Sequence, residues 1–246
     1  MQFSPVRLAP CTVLPIRGEV AVRLAPGGPP DLSNQESHEW QRRRQANPRL
    51  FDGPILSLGL DPLAASSTLE SVTLTARRDR YARLVIQPAV ATGVCLLAAT
   101  AVVFRRDVAG VASVLLVQRS VSVNAYPGLW EFGPSGGVAE RQDAIDRLSP
   151  SDLAAALAAE VEEELGLHVP LRLISPPMAL LVDGHTFSAD LVMTLDATCL
   201  PFEVSKAPLN WENDGARWIT LDDLRGVADP SVLSPPTRVL LASLSP

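Results

Sequence analysis

The sequence predicts an α+β protein, and three observations support this class. Two apolar, β-like runs at residues 90–104 and 113–119 flank a polar turn that contains glycine, which is the pattern of a β-hairpin. A helical segment follows and ends at Gly166. Three further β-like runs and a second helical segment come after it, at residues 178–182, 186–195, 216–220 and 237–244. Strands and helices therefore alternate along this part of the chain.

The helix before Gly166 has a recognisable start. Ser149 offers an N-cap hydroxyl, Pro150 suits the first turn, and Asp152 adds a negative charge where the helix dipole favours one. At about 100° per residue, one side of the helix is apolar and is formed by Leu153, Leu157, Val161 and Leu165. This pattern predicts a helix with one packed face.

Four carboxylates lie near the end of that helix, at Glu160, Glu162, Glu163 and Glu164. Helical geometry points Glu160, Glu163 and Glu164 to one side and Glu162 away. Such a run is ordinarily a solvated acidic face. Here, however, Glu160 and Glu164 fall within about 20° of the direction of Leu153, beside the apolar stripe. Like charges at this spacing repel, and a hard divalent cation such as Mg²⁺, which prefers oxygen ligands, would offset the repulsion.

An aromatic strand pattern precedes the helix and ends in a glycine pair, in Tyr126-Pro-Gly-Leu-Trp-Glu-Phe-Gly-Pro-Ser-Gly-Gly-Val138. Together with the acidic helix it resembles the Nudix hydrolase family, whose box reads Gly, five residues, Glu, seven residues, Arg-Glu-apolar-any-Glu-Glu-any-Gly-apolar. Gly137 matches the opening glycine and residues 160–167 match the second half. Two positions depart from the box: Ala159 replaces its Arg, and Asp143 replaces its first Glu and is followed by an insertion.

The resemblance implies a mixed β-sheet sandwiched between helices and a pyrophosphohydrolase activity. It also implies Mg²⁺ as cofactor, with Mn²⁺ as the alternative. Glu160, Glu163 and Glu164 match the family's catalytic metal ligands, and the Gly137 carbonyl would complete the shell. A distal carboxylate often joins them. Glu212 is the best candidate and Asp214 the reserve, while an ordinary loop acid remains the alternative for both.

The sequence predicts two parts, an N-terminal module at residues 1–88 and a Nudix hydrolase domain at 89–246. The module combines short β-like pieces with a helix at residues 37–46, and then Asn47-Pro-Arg-Leu-Phe-Asp-Gly-Pro54 forms a compact turn that presents Phe51 and Asp52. This order resembles a divergent Nudix branch that includes pyrophosphatases cleaving UDP-glucose and UDP-galactose. We therefore expect Phe51 and Asp52 to bind substrate and the module to contribute to the substrate pocket. A purely structural corner is the alternative.

Three aromatic residues near the glycine pair could stack on a nucleobase, namely Tyr126, Trp130 and Phe132. Trp130 and Phe132 alternate in register with a buried strand face, which favours core packing for both. Tyr126 is therefore the substrate-binding candidate of this segment.

Composition narrows the function classes. The 246 residues carry a formal net charge of −6, which argues against a dedicated nucleic-acid binder. Three well-separated cysteines suggest no disulfide framework. Residues 1–7 lack a signal-peptide pattern, and the apolar run at 90–104 is too short to span a membrane. We expect a cytoplasmic protein whose partner is a small-molecule nucleotide.

Two functions are consistent with these patterns. The first is Mg²⁺-dependent hydrolysis of a nucleoside diphosphate linked to another moiety, specifically a UDP-sugar that gives UMP and sugar 1-phosphate. The second is a non-catalytic, Nudix-like nucleotide-binding or sensor protein. The intact carboxylates favour the enzyme, whereas the lost Arg and Glu of the box favour the sensor.

Overall fold

The structure is a computed structural model and describes residues 1–59, 68–139, 146–201, 203 and 207–244. Its helices are α1 (Asn34–Ala46), α2 (Tyr81–Val85), α3 (Pro150–Leu165), α4 (Leu221–Arg225) and α5 (Pro235–Ser243). Its strands are β1 (Val6–Leu8), β2 (Cys11–Pro15), β3 (Val20–Leu24), β4 (Pro54–Leu58), β5 (Val72–Arg80), β6 (Leu96–Arg106), β7 (Ala112–Arg119), β8 (Trp130–Phe132), β9 (Ser135–Gly137), β10 (Arg147–Leu148), β11 (Ala179–Asp183), β12 (Ser188–Asp196) and β13 (Asn213–Thr220).

The strands form one mixed sheet centred on β6. On one side β6 pairs in parallel with β12, which pairs antiparallel with β11. On its other side β6 contacts three antiparallel strands in turn, β4, β9 and β7. The β6–β7 hairpin confirms the predicted pair of strands, and β7 continues the sheet by pairing with β8 and β13.

Helices cover both faces of the sheet. The apolar stripe of α3 is buried against the odd-numbered side chains of β6, among them Leu97, Ala99 and Ala101. The even-numbered Val102 faces the opposite side, where Val239 and Leu240 of α5 and Leu224 of α4 pack. Alternating strand side chains thus build two cores, one on each face. The predicted α+β class, a mixed sheet between helices, is confirmed.

Both ends of α3 agree with the sequence. Ser149 caps the helix in a reciprocal capping box with Asp152, and Pro150 occupies the first turn. Gly166 ends it in the left-handed conformation with φ of 62°.

Several predicted boundaries were wrong, and side-chain hydrogen bonds account for two of them. α1 begins at Asn34, three residues before the predicted start, because Ser33 and Glu36 form a capping box. The strand predicted from residue 90 begins only at Leu96. Side chains instead hold the preceding segment as a loop, since Gln87 Nε2 donates to the Val94 carbonyl at 2.9 Å and Thr92 Oγ1 donates to the Arg83 carbonyl at 2.8 Å.

Residues on the two sides of the predicted division near residue 88 share the sheet. β2 pairs with β11 over its whole length, and Ser57 of β4 pairs with Leu96 of β6. A further bridge joins Phe3 to Leu244. The division into module and domain stays a prediction, but the first residues of the chain supply strands that cover β11 and β6. No helix in the described ranges has the length and apolarity needed to cross a membrane.

We expect a truncated chain that begins at Gln87 to be insoluble. Removing β2 and β4 uncovers the hydrogen-bonding edges of β11 and β6, and exposed sheet edges promote aggregation. Soluble yield and gel filtration of the truncated and full chains provide the measurement. A truncated chain that is soluble and elutes as a single species, like the full chain, would contradict this expectation.

Candidate functional site

The acidic end of α3 packs against the glycine-bearing strand β9. Gly136 lies directly under Glu160, and a Cβ atom built on Gly136 would overlap the Glu160 carboxyl group. A residue other than glycine at this position would therefore displace the Glu160 carboxyl group. Gly137 faces the other way, because a Cβ atom there would lie 3.5 Å from Leu96 Cδ1. The glycine pair thus lets a carboxylate approach the backbone closely.

The hydrogen bonds of β9 alternate between two directions. Ala101 N donates to the Pro134 carbonyl and Val138 N donates to the Leu97 carbonyl, both at 2.9 Å. Residues 134, 136 and 138 therefore bond towards β6, so the backbone groups of Ser135 and Gly137 point away from it. Ser135 N accordingly donates to Glu164 Oε1 at 3.2 Å. The Gly137 carbonyl points in this direction too, which is the orientation that its predicted role as a metal ligand requires.

Glu164 is buried, with 3% of its surface exposed, and is held by two donors. Asn213 Nδ2 donates to Glu164 Oε2 at 2.7 Å, in addition to the bond from Ser135 N. The pKa of Glu164 is nevertheless raised to about 8, mainly by burial; the charges of Glu212 and Glu131 contribute to this rise, and the two hydrogen bonds oppose it. The carboxylate is thus fixed in position, and its charge needs compensation.

Glu160 differs from Glu164 because no hydrogen-bond donor among the described residues reaches its carboxylate. It is half-buried. Burial is the main cause that raises its pKa to about 7, followed by the charges of Glu163 and Glu212. Glu163 itself is exposed, as is Glu162. Of the three glutamates predicted to share one side of the helix, Glu160 and Glu164 lie on the inner side. Glu163 lies at the solvent side of the cluster.

The distal carboxylate was predicted as Glu212, with Asp214 in reserve. The charge of Glu212 raises the pKa of both Glu160 and Glu164, so its carboxylate lies near theirs. The exposed Asp214 is tied elsewhere, because its Oδ2 accepts a hydrogen bond from Val121 N at 3.2 Å. The geometry therefore favours Glu212 over Asp214. Its role as a metal ligand stays a prediction.

Three residues of the site were missed in the sequence. Asn213 holds Glu164, and Arg119 Nη1 lies 3.4 Å from Glu131 Oε1 and 3.3 Å from Glu212 Oε2. Burial raises the pKa of Glu131 to about 7, and the Arg119 charge partly opposes that rise. For Glu131 a signal existed, since the alternation that places Trp130 and Phe132 in the core points the residue between them to the opposite face. For Arg119 and Asn213 the sequence carried no such signal.

The Leu50–Pro54 turn is held by internal contacts of Asp52. Its Oδ2 accepts hydrogen bonds from the Arg80 guanidinium, one of them from Nε at 2.8 Å, and its Oδ1 accepts from Ala82 N at 3.0 Å. Both oxygens thus have protein partners. Phe51, in contrast, is 74% exposed and stacks on Tyr81 with ring centroids 6.3 Å apart. Asp52 fixes the corner, and substrate binding by either residue stays a prediction.

Tyr126 lies in a polar cluster at the end of β11. Its hydroxyl donates to Asp183 Oδ2 at 2.7 Å, and its ring lies 5.5 Å from that of His185. The backbone of Tyr126 has a φ of 52°, which is uncommon for a residue with a side chain. The hydroxyl is therefore already used within the protein, and the predicted contact of Tyr126 with substrate would fall to its half-buried ring.

No three acidic, histidine or cysteine side chains in the described ranges stand close enough together to form a preassembled metal site. The donor set nevertheless fits a hard divalent cation, because it consists of carboxylates and an outward-pointing backbone carbonyl. The buried Asn213 Oδ1, beside Glu164, also has no hydrogen-bond partner among the described residues. Such an acceptor suits a water molecule of the kind that Mg²⁺ retains.

Of the two positions that depart from the Nudix box, the structure describes one. Ala159 is exposed, so no buried space is left where the box has its arginine. Asp143 lies outside the residues that the structure describes.

The sequence matches no protein-family model and no curated protein. Among solved structures, the chain is similar to the NUDIX domain of NrtR from Shewanella oneidensis complexed with ADP ribose, with a TM-score of 0.44, 20% identity, and coverage of 60% of this chain and 84% of that one. It is also similar to the Nudix hydrolase RenU from M. smegmatis (TM-score 0.41, 18% identity, 59% and 80% covered). A third similar structure is the MutT protein from Methanosarcina mazei Go1 (TM-score 0.40, 20% identity, 60% and 90% covered).

The raised pKa values predict how stability depends on pH without a metal. Glu160 and Glu164 bind protons more tightly in the folded chain than at the ordinary glutamate pKa of 4.5. The folded state therefore holds more protons than the unfolded state, and its stability should fall as pH rises from about 4.5 to about 8. Urea unfolding in EDTA at pH 5.5 and at pH 8.5 measures the difference.

Matched variants assign this pH dependence. Glu164→Gln should reduce the loss of stability between the two pH values, because the amide does not ionise. Glu162→Gln, whose parent side chain is 60% exposed, should leave the loss unchanged. An equal loss in the wild-type chain and in Glu164→Gln would contradict the assignment.

Proposed function

We propose that the chain is a Nudix pyrophosphohydrolase that hydrolyses a nucleoside diphosphate linked to another moiety. The observation that carries the proposal is the pair of carboxylates, Glu160 and Glu164, packed against the glycine strand with raised pKa values. Burying these two carboxylates costs electrostatic free energy, and a bound cation would offset that cost. The residues of this pair are also those that match the Nudix box.

Each residue of the site has a proposed task. Glu164, Glu163 and Glu212 would hold Mg²⁺ together with Glu160 and the Gly137 carbonyl, and Mn²⁺ is the alternative ion. When bound, the cation would neutralise charge on the non-bridging phosphate oxygens and activate a water molecule. Asn213 and Ser135 N orient Glu164. Because Glu160 lacks a donor among the described residues, its carboxylate can accept a proton from the attacking water.

We propose a UDP-sugar as substrate. Water would add to one phosphorus and break its bond to the bridging oxygen, giving UMP and sugar 1-phosphate. The support comes from the amino-terminal resemblance and from the position of Phe51, which is exposed on a turn fixed by Asp52. We expect this activity in the cytoplasm.

The sensor alternative has its own support. Ala159 leaves the box without its arginine, and no preassembled metal cluster exists among the described residues. A sensor would bind the nucleotide and release no UMP. The assay below therefore separates the two functions.

Glu163→Gln and Glu164→Gln should each lower kcat by roughly a hundredfold or more, because each removes a charge that holds the cation while preserving side-chain size. The measurement is Mg²⁺-dependent release of UMP and sugar 1-phosphate from UDP-glucose. Glu162→Gln on the same helix is the matched control and should retain the wild-type rate, because its parent side chain points to solvent. Wild-type kcat at saturating Mg²⁺ in Glu163→Gln or Glu164→Gln would reject its proposed task.

A substrate panel tests the specificity. UDP-glucose or UDP-galactose should have a higher kcat/KM than ADP-ribose, dinucleoside polyphosphates and coenzyme A. Fold and box do not determine this order, because one fold serves many substrates. If an adenine nucleotide is the best substrate, the UDP-sugar proposal is wrong although the hydrolase proposal stands.

A further inference from the structure

Two exposed aromatic side chains belong to turns that adjoin the strands and loops of the acidic site. Among the described residues, Phe51 and Trp211 are the large aromatic rings with most of their surface in solvent, at 74% and 65%. The other exposed large apolar residues are aliphatic. A single exposed apolar residue is unremarkable in itself. These two residues are candidates for a binding role because of where they lie and because their turns are held by hydrogen bonds.

Trp211 belongs to the turn that places Asn213 beside Glu164. Asn213 Nδ2 bonds Glu164 Oε2 at 2.7 Å, and Trp211 lies two residues earlier in the chain. The turn is closed by Asn210, whose Oδ1 accepts from Glu212 N at 3.0 Å and whose carbonyl accepts from Asn213 N at 3.2 Å. The exposed indole is therefore carried by a fixed turn beside the buried carboxylate.

Phe51 precedes β4, whose course is limited by the strand pairing. β4 and β9 share one edge of β6, with Ser57 opposite Leu96 and Gly137 opposite Ala98. Because β9 occupies the next positions along that edge, β4 must leave β6 there, which directs its first residues towards the outer side of β9. The Ser135 amide and the Gly137 carbonyl point to that same side.

The Phe51 ring is also held in place. It stacks on Tyr81 at an interplanar angle of 22°, and Asp52 ties the turn to Arg80 and to Ala82 N. Burial raises the pKa of Tyr81, and the charge of Glu212 raises it further, so the phenol beneath Phe51 lies near the proposed distal carboxylate. Despite this contact, 74% of the surface of Phe51 is exposed to solvent.

We propose that Phe51, backed by Tyr81, and Trp211 form the stacking site for the planar base of the nucleotide, one ring on each side of the carboxylates. The inference rests on the proposed function and adds how the base is held. Two rings on rigid turns offer flat apolar surfaces that need little ordering when a base binds. Stacking tolerates any base, because every base has a π-face. This site would thus supply affinity for a nucleotide, and base selectivity must come from other contacts.

The first test compares leucine with aromatic replacements. Phe51→Leu and Trp211→Leu keep an apolar side chain but remove the flat ring, and each should raise KM for UDP-glucose about tenfold with kcat little changed. Phe51→Tyr and Trp211→Phe restore a ring and should recover most of the affinity. Val108→Ala, at a fully exposed aliphatic residue of the β6–β7 turn, is the matched control and should keep the wild-type KM.

The second test measures binding without turnover. UMP in the presence of Mg²⁺ should quench tryptophan fluorescence in the wild-type chain, and Trp211→Phe should lose most of that quenching, because the other tryptophans are buried or half-buried. Wild-type KM in both leucine variants, or undiminished quenching in Trp211→Phe, would overturn the stacking site even if UDP-glucose is hydrolysed. A wild-type chain that hydrolyses no nucleoside diphosphate ester but is quenched through Trp211 would refute the hydrolase and support the stacking site.

Discussion

The site depends on one physical conflict, in which two glutamates are held where their charges are poorly solvated. Burial is the largest cause of the raised pKa values of Glu160 and Glu164, and neighbouring acids add to it. The helix cannot rotate to relieve the conflict, because Leu157 and Val161 of the same helix are fully buried in the core. Hydrophobic packing therefore fixes an arrangement that electrostatics alone would reject, and a proton or a cation must compensate it.

The amino-terminal residues help to position that helix. β10, just before α3, pairs with β3, placing Leu148 opposite Val22, and Leu24 N donates to the Asp146 carbonyl at 2.8 Å. A backbone ladder thus anchors the start of the helix from a distant part of the chain.

Local features of the site were predictable from sequence, and long-range ones were not. The limits of α3, its apolar stripe and the inner position of Glu164 follow from capping residues and helical periodicity, which act over a few residues. The donors that fix Glu164, Ser135 and Asn213, lie 29 and 49 residues away. Their contacts depend on how strands pair, and no pattern within one segment encodes that pairing. The same reason separates the predicted turn at Phe51, which is local, from the contacts that hold it, since the Arg80 and Ala82 groups that bond Asp52 lie 28 and 30 residues away.

In the proposed hydrolase, the charge balance of the site would favour joint binding of metal and substrate. Arg119 is the one cation that ion-pairs with the acids around Glu164 among the described residues, and it is shared between Glu131 and Glu212. The remaining acids, Glu160, Glu163 and Glu164, have no such partner there. A diphosphate approaching this surface would meet like charge at short range, where partial burial weakens screening. A divalent cation reverses the sign of that interaction, so the same carboxylates that repel the substrate alone would attract it through the ion.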